Sequence, residues 1–273
     1  MENPMKIALI QICSELNPAP NMEKIQNFIN LANKQDDIEA VFLPEVFYSM
    51  SDGTKATPYL VEEGNEHYKA IQKLAKDNSV YLIGGSAATN LDGRVINRAW
   101  NFDPNGNAMG HYDKMHLFAV DLSKTSNRTV IDEATVYTSG SSPKLINVGD
   151  WQVGLGICFD LRFPELFRYY HEQGANLLTM ASAFTVPTGK AHWETLLKAR
   201  AIENQSYVVA AGQWGEHNEK IKTYGHSMVI DPWGEVIAEL GEGEGYTVVD
   251  LDLSKVEEFR ARMKVKPKFE ISL

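Results

Sequence analysis

Strand-like apolar runs alternate with helix-period segments from the start of the chain, and this alternation limits the fold more than any other feature. The runs KIALIQI (6–12) and AVFLPE (40–45) are predicted to be buried strands. Between them, the segment NMEKIQNFINLANKQ (21–35) repeats apolar side chains at helical spacing behind Asn21, which is expected to cap a helix. The chain therefore begins with a strand–helix–strand unit.

The same alternation continues along the rest of the chain, without a repeat, a low-complexity tract or a linker. This pattern predicts one α/β domain over residues 1–273, with hairpin-built mixed sheets and helices on the outer faces. The later elements are predicted as a helix around 65–77, a strand at 80–87, a hairpin at 97–114 that turns at residues 103–106, strands at 144–149 and 151–158, a helix at 163–172, a strand at 176–180, a helix near 191–204, strands at 207–213, 225–240 and 246–253, and a basic helix from Lys255.

Composition excludes several classes of partner. A net charge of −10 argues against nucleic acid, because binding phosphates needs a positive surface. The N-terminus carries only a short apolar stretch and no long hydrophobic span follows, so we expect no membrane association and a cytoplasmic location. Two cysteines, Cys13 and Cys158, form no disulfide framework. His111, Asp113 and His116 are close in sequence, but nothing nearby completes a ligand shell, and no metal is predicted.

Three reactive side chains stand at predicted strand ends. Glu45 ends the second strand, Lys114 follows the hairpin, and Cys158 ends the run GLGIC before a helix that opens at residues 163–165. Each has a plainer interpretation, since Glu45 could be a solvated acid, Lys114 a surface cation and Cys158 a buried small hydrophobe. Together, an acid, a lysine and a cysteine are the groups needed to cleave an unactivated C–N bond.

The motifs LPEVF, YDKMHLF and GICFDLRFPEL, followed by SAFTVPTGKAHWETLLKARAIENQSYVVAAGQ and YGHSMVIDPWGEV, occur in that order. This ordered set resembles the nitrilase, or carbon-nitrogen hydrolase, superfamily from about residue 6 to 260. The resemblance implies a four-layer α-β-β-α sandwich, a dimer formed through helical faces, and catalytic roles for Glu45, Lys114 and Cys158. A second glutamate of the family would fall on Glu133, with Asp132 as the alternative.

The chemistry expected of this set needs neither a metal nor an organic cofactor. Glu45 would take the proton of the Cys158 thiol, and Lys114 with the backbone N–H of Phe159 would stabilise the oxyanion. Glu45 would then protonate the leaving nitrogen and later activate the water that hydrolyses the thioester. Glu133 would orient Lys114 or the substrate amide.

Further side chains are candidates for substrate binding. Arg162 lies near the expected cleft and could hold a substrate carboxylate, or it could pair with Glu165 instead. Gln213, His217 and Lys220 could contact a second carboxylate on a larger substrate, or they could belong to a solvated loop.

These features predict an amidase that hydrolyses a small carboxylate-bearing amide through a cysteine thioester, releasing ammonia. Within the superfamily the motifs are most similar to the deaminated-glutathione amidase branch, and next to the ω-amidases that act on 2-oxoglutaramate. An interaction protein that keeps the fold without turnover is the alternative from another class. A nitrile hydrolase would suit the same three residues, but its flanking motifs fit less well.

The two cysteines are expected to respond differently to substitution. Cys158→Ser should lose almost all turnover, because a serine hydroxyl is much harder for Glu45 to deprotonate than a thiol. Cys13→Ser should retain most activity, because that residue is expected only to fill the core. Steady-state amide hydrolysis checks this, and equal activity in the two variants would contradict the assignment of the nucleophile.

Overall fold

The structure, a computed structural model, describes residues 4–121 and 130–265. Within these ranges the helices are α1 (Pro18–Gln35), α2 (Glu66–Asn78), α3 (Pro164–Glu172), α4 (Val186–Asn204) and α5 (Leu253–Arg262). The strands are β1 (Met5–Gln11), β2 (Ala40–Phe42), β3 (Tyr81–Ile83), β4 (Ser86–Leu91), β5 (Arg94–Phe102), β6 (Ala108–Asp113), β7 (Ala119–Asp121), β8 (Val130–Asp132), β9 (Leu145–Val148), β10 (Trp151–Gly154), β11 (Leu177–Ser182), β12 (Tyr207–Gly212), β13 (Trp214–Glu216), β14 (Lys222–Tyr224), β15 (Met228–Ile230), β16 (Val236–Glu239) and β17 (Gly245–Leu251).

Two mixed sheets form the centre of the molecule. One has the order β17-β1-β2-β3-β5-β4 with β6 added beside β5, and the other has the order β16-β15-β12-β11-β10-β9. Strands β1, β2 and β3 run parallel to one another, as do β10, β11 and β12, and the hairpins attach antiparallel strands at the margins. None of the five described helices is long and apolar enough to span a membrane.

Side-chain alternation along β1 shows how the layers pack. Ile7 and Leu9 belong to the core that joins the two sheets, whereas Ala8 and Ile10 belong to the core beneath α1 and α2. Helices α3 and α4 cover the outer face of the second sheet. The layers therefore follow the order helix, sheet, sheet, helix.

Several element boundaries differ from the sequence-based expectation. Helix α1 begins one turn earlier than predicted, because Asn17 caps it and Pro18 occupies its first position. Asn21, the predicted cap, is instead buried and bonds to the loops that follow β1 and β2. The strand predicted at 80–87 divides at Gly84, which adopts a φ of +78°. The hairpin formed by β13 and β14 was not predicted.

The strand predicted to end at Cys158 also differs, since it ends at Gly154. Helix α3 crosses β10 so closely that a Cβ atom on Gly154 would lie 2.7 Å from ring atoms of Tyr170. Only glycine permits this contact, which fixes the strand leading to Cys158.

We expect Gly154→Ala to lower the free energy of unfolding by about 1–3 kcal/mol, as overpacking of a tight interior does. Gly241→Ala is the matched control, because its added Cβ meets no atom within 4 Å and its effect should stay below about 0.5 kcal/mol. Urea denaturation followed by circular dichroism measures both. Equal stabilities would show that the contact between α3 and β10 is loose.

Candidate active site

A fully buried lysine lies where the ends of β2, β6 and β8 meet. Lys114 follows β6, and its Nζ donates to Glu45 Oε1 at 2.9 Å and to the two carboxylate oxygens of Glu133 at 2.9 and 2.7 Å. Its exposed fraction is 0%. Burial lowers the pKa of Lys114, but Glu45, Glu133 and Cys158 outweigh burial and raise that pKa well above its ordinary value. Lys114 is therefore an ammonium ion.

Glu45 is buried beside this ammonium, and both of its carboxylate oxygens accept hydrogen bonds. Besides Lys114, its Oε1 accepts from Asn97 Nδ2 at 2.8 Å, and its Oε2 accepts from the backbone N–H of Ala183 at 2.8 Å. Its backbone carbonyl accepts from Gln213 Nε2 at 2.9 Å. Burial raises the pKa of Glu45 more than the attraction of Lys114 lowers it. Glu45 is thus a fixed carboxylate with a strengthened affinity for a proton.

Cys158 opens a short 3₁₀ turn and adopts a φ of +47°, a strained conformation for a residue with a Cβ. Asp160, fully buried, holds this turn by accepting from the Ile157 N–H, the Tyr112 hydroxyl, and the backbone and ring nitrogens of His116, at 2.7–3.0 Å. Burial raises the pKa of Cys158 well above its ordinary value, and Glu45 raises it further. The resting sulfur is therefore a thiol that needs a base.

Glu133, and not Asp132, reaches the lysine. Besides gripping Lys114 with both oxygens, its Oε2 accepts from the Phe118 N–H at 2.8 Å. Asp132 instead caps the 3₁₀ turn that follows β8, accepting from the Ala134 N–H at 2.9 Å. Much of the segment before this pair, residues 122–129, lies outside the described residues.

A cavity of about 160 Å³ opens onto these groups, with Glu45, Glu133 and Cys158 in its wall. Arg162 reaches its wall from the turn after Cys158. The guanidinium lies over the rings of Phe159 and Phe184, with its carbon 5.5 and 5.2 Å from their centroids. Its Nη2 is 3.4 Å from His192 Nδ1, and the alternative ion pair with Glu165 is not formed between these two described residues. Within the described residues no carboxylate pairs with Arg162, and its guanidinium offers a positive charge to the cavity.

The side chains expected at a substrate rim lie elsewhere, which corrects that expectation. Gln213 is fully buried behind Glu45, and its remaining polar atoms bond to Ser14. His217 bonds to the Ser14 carbonyl and to a threonine hydroxyl, and Lys220 pairs with Asp52. None of the three lines the cavity.

His111, Asp113 and His116, which are close in sequence, each contact a different neighbour. Asp113 forms a bidentate pair with Arg98, His116 bonds to Asp160, and His111 packs against Trp100. Among the described residues, no three His, Cys, Asp or Glu side chains are placed to hold a metal ion.

Asn97, Asp160 and the Ala183 N–H also contact the groups of this site, and they were not predicted from the sequence. Asn97 had a visible signal, since it is a polar residue at an inward position of an otherwise buried strand. Asp160 had only its proximity to Cys158, and a backbone N–H has no sequence signal at all.

Comparison with known proteins decides the family. The carbon-nitrogen hydrolase family matches residues 6–261 of the chain. The chain belongs to this family. This carbon-nitrogen hydrolase is 35% identical to the deaminated glutathione amidase of Synechocystis sp. over an alignment of 264 residues, which covers 95% of this chain and 96% of that protein. It is also 35% identical over 260 residues to the human omega-amidase NIT2, covering 95% and 93%.

A solved structure matches this carbon-nitrogen hydrolase over nearly its whole length. It is Nit3 of Saccharomyces cerevisiae, a member of branch 10 of the nitrilase superfamily, with a TM-score of 0.83, 28% identity, and coverage of 98% of this chain and 97% of that one. The predicted family and the predicted α-β-β-α sandwich are confirmed.

The space between Glu45 and Glu133 suits the ammonium group of a lysine. Lys114→Arg keeps the charge, but a planar guanidinium cannot replace a compact ammonium between two carboxylates. We expect kcat to fall by roughly a hundredfold or more, the order seen when one oxyanion donor is removed. Lys220→Arg, an exchange in an exposed ion pair, is the control and should be neutral. Wild-type kinetics of Lys114→Arg would mean that the ammonium takes no part in turnover.

Proposed function

We propose that this carbon-nitrogen hydrolase is an amidase that cleaves a small carboxylate-bearing amide through a thioester on Cys158. The observation that carries the proposal is that the wall of one cavity holds the Cys158 thiol, the buried Glu45 carboxylate and the Arg162 guanidinium, and that this carboxylate bonds to the buried Lys114 ammonium. A protein that only keeps the fold has no physical reason to bury such a charged set, because burying charges costs free energy.

The reaction follows from these positions. Glu45 takes the thiol proton as the sulfur of Cys158 bonds to the amide carbon, and the carbonyl electron pair moves to oxygen. Lys114 and the N–H of Phe159 stabilise that oxyanion. As it collapses, the C–N bond breaks and Glu45 returns the proton to the leaving nitrogen. Water, deprotonated by Glu45, then cleaves the thioester to release the acid and restore the thiol. Glu133 holds the Lys114 ammonium in place.

Arg162 is the proposed anchor for the substrate carboxylate. Its two flanking rings keep the guanidinium extended and partly shielded from water, which strengthens an ion pair with an anion. The names of the relatives support two candidates, deaminated glutathione and the amide that an omega-amidase hydrolyses. For the second we take 2-oxoglutaramate, the substrate that the resemblance to the ω-amidases implies. Gln213, His217 and Lys220 are absent from the cavity wall, so the contacts expected for a second carboxylate of deaminated glutathione are missing. The smaller 2-oxoglutaramate is therefore a second candidate.

We further propose a homodimer in the cytoplasm. Trp233 is 57% exposed where it stacks on Phe259, and Ile202 of α4 is 51% exposed beside Gly234. This apolar surface suits a second copy that packs through the helical face. Both cysteines are unbridged, which agrees with a reducing compartment.

The anchor is tested by varying the enzyme and the substrate together. Arg162→Gln should raise KM for both carboxylate-bearing amides about tenfold or more, because a charge-assisted hydrogen bond is lost. The same variant should barely change KM for the corresponding amide whose anchoring carboxylate is a methyl ester.

Lys220→Gln is the matched control and should leave KM unchanged for all substrates. Comparing kcat/KM for deaminated glutathione and 2-oxoglutaramate then ranks the two candidates. If Arg162→Gln raised KM equally for the carboxylate-bearing amide and for its methyl ester, Arg162 would not bind the substrate carboxylate.

A further inference from the structure

Strand β5 places a polar residue in the apolar layer between the sheets. Asn97, Ala99 and Asn101 point to one side of this strand, and Ala99 belongs to the core that joins the two sheets. Asn97 is 1% exposed. Its place in a packed core needs a reason, since an apolar side chain of the same size would be expected there.

Asn97 contacts two members of the active site. Its Nδ2 donates to Glu45 Oε1 at 2.8 Å, the same oxygen that accepts from Lys114 Nζ at 2.9 Å. Its backbone carbonyl accepts from the Lys114 N–H at 2.9 Å. One residue therefore fixes the carboxylate through its side chain and the lysine through its main chain.

The orientation of the amide group follows from its neighbours. Turning it over would place Oδ1 against Glu45 Oε1, which would oppose two acceptors. In the orientation observed, Oδ1 is buried and no described residue donates to it. A buried acceptor without a donor costs free energy, so packing and stability do not explain an asparagine at this position.

We propose that Asn97 is a positioning residue, which fixes the Glu45 carboxylate against the Lys114 ammonium and beside the Cys158 thiol. The proposal rests on the function proposed above, in which Glu45 is the base. The hydrogen bond from Nδ2 is made to the ionised carboxylate, so it favours the form that can accept the thiol proton, while burial opposes that form.

Removing the Asn97 Nδ2 donor should shift the pH dependence of activity. Burial already raises the pKa of Glu45, and loss of a hydrogen bond to the carboxylate raises that pKa further. Activity that needs ionised Glu45 is lost as pH falls through this pKa, so the acid limb of the pH profile moves to higher pH. The other titratable groups that face Glu45 remain in place, and they are Lys114, Glu133, Tyr137 and Cys158.

The experiment measures the pH profile of kcat/KM for Asn97→Leu and for Asn97→Ala, the second variant guarding against misfolding by overpacking. We expect the acid limb to move up by about one pH unit and kcat at neutral pH to fall about tenfold or more, because one hydrogen bond to a charged group is lost. In a Cys13→Ser background, the pH profile of Cys158 alkylation by iodoacetamide should move in the same direction.

Asn101→Leu is the matched control. Asn101 is equally buried on the same face of β5, but among the described residues its side chain bonds only to the backbone of Gly84 and Gly110. This variant should lower the melting temperature and leave both acid limbs in place. If the Asn97 variants fold and their acid limbs coincide with that of the wild type, the proposal is overturned. If Glu45→Gln kept its activity, the proposed base itself would be wrong, and the two failures are therefore distinguishable.

Discussion

A lysine ammonium with no exposed surface is the constraint on which the rest of this structure depends. A charge in the protein interior is stable only when opposite charges and hydrogen bonds replace the water it has lost. Lys114 meets this condition with two carboxylates that come from different parts of the chain, Glu45 after β2 and Glu133 after β8. The ends of three strands must therefore meet at one point, and the cavity forms where they meet.

Cys158, the proposed nucleophile, is held in place by a separate set of hydrogen bonds. Cys158 is held at positive φ by the turn that Asp160 ties together, and this carboxylate receives donors from the turn itself and from the segment around β6. The segment that carries Lys114 and the turn that carries Cys158 are thus fixed to each other through Asp160. The distance between cation and sulfur depends on hydrogen bonds that do not involve either group.

The sequence indicated much of this arrangement, and its failures have physical causes. Glu45, Lys114 and Cys158 were predicted as site residues because each reactive side chain stands at the end of a predicted strand, and their catalytic roles stay a prediction. The Cys158 strand was predicted too long, because no local pattern shows that α3 crosses at Gly154. Gln213 was predicted to bind substrate because it is a polar residue near the end of a predicted strand. In the structure its side chain is buried behind Glu45, where it bonds to Ser14 in the loop after β1, a residue distant in sequence.

The three hydrogen bonds of Lys114 also decide how it can act on a substrate. An ammonium has three N–H donors, and here one points at Glu45 and two at the separate oxygens of Glu133. An oxyanion can gain a donor only if one of these bonds is given up. Glu133, held twice, can release one oxygen and keep the other, so the cation can turn toward a developing charge without leaving its ion pair. In the proposed reaction, the second contact to Glu133 therefore keeps the ammonium in an ion pair while the first is replaced by an oxyanion.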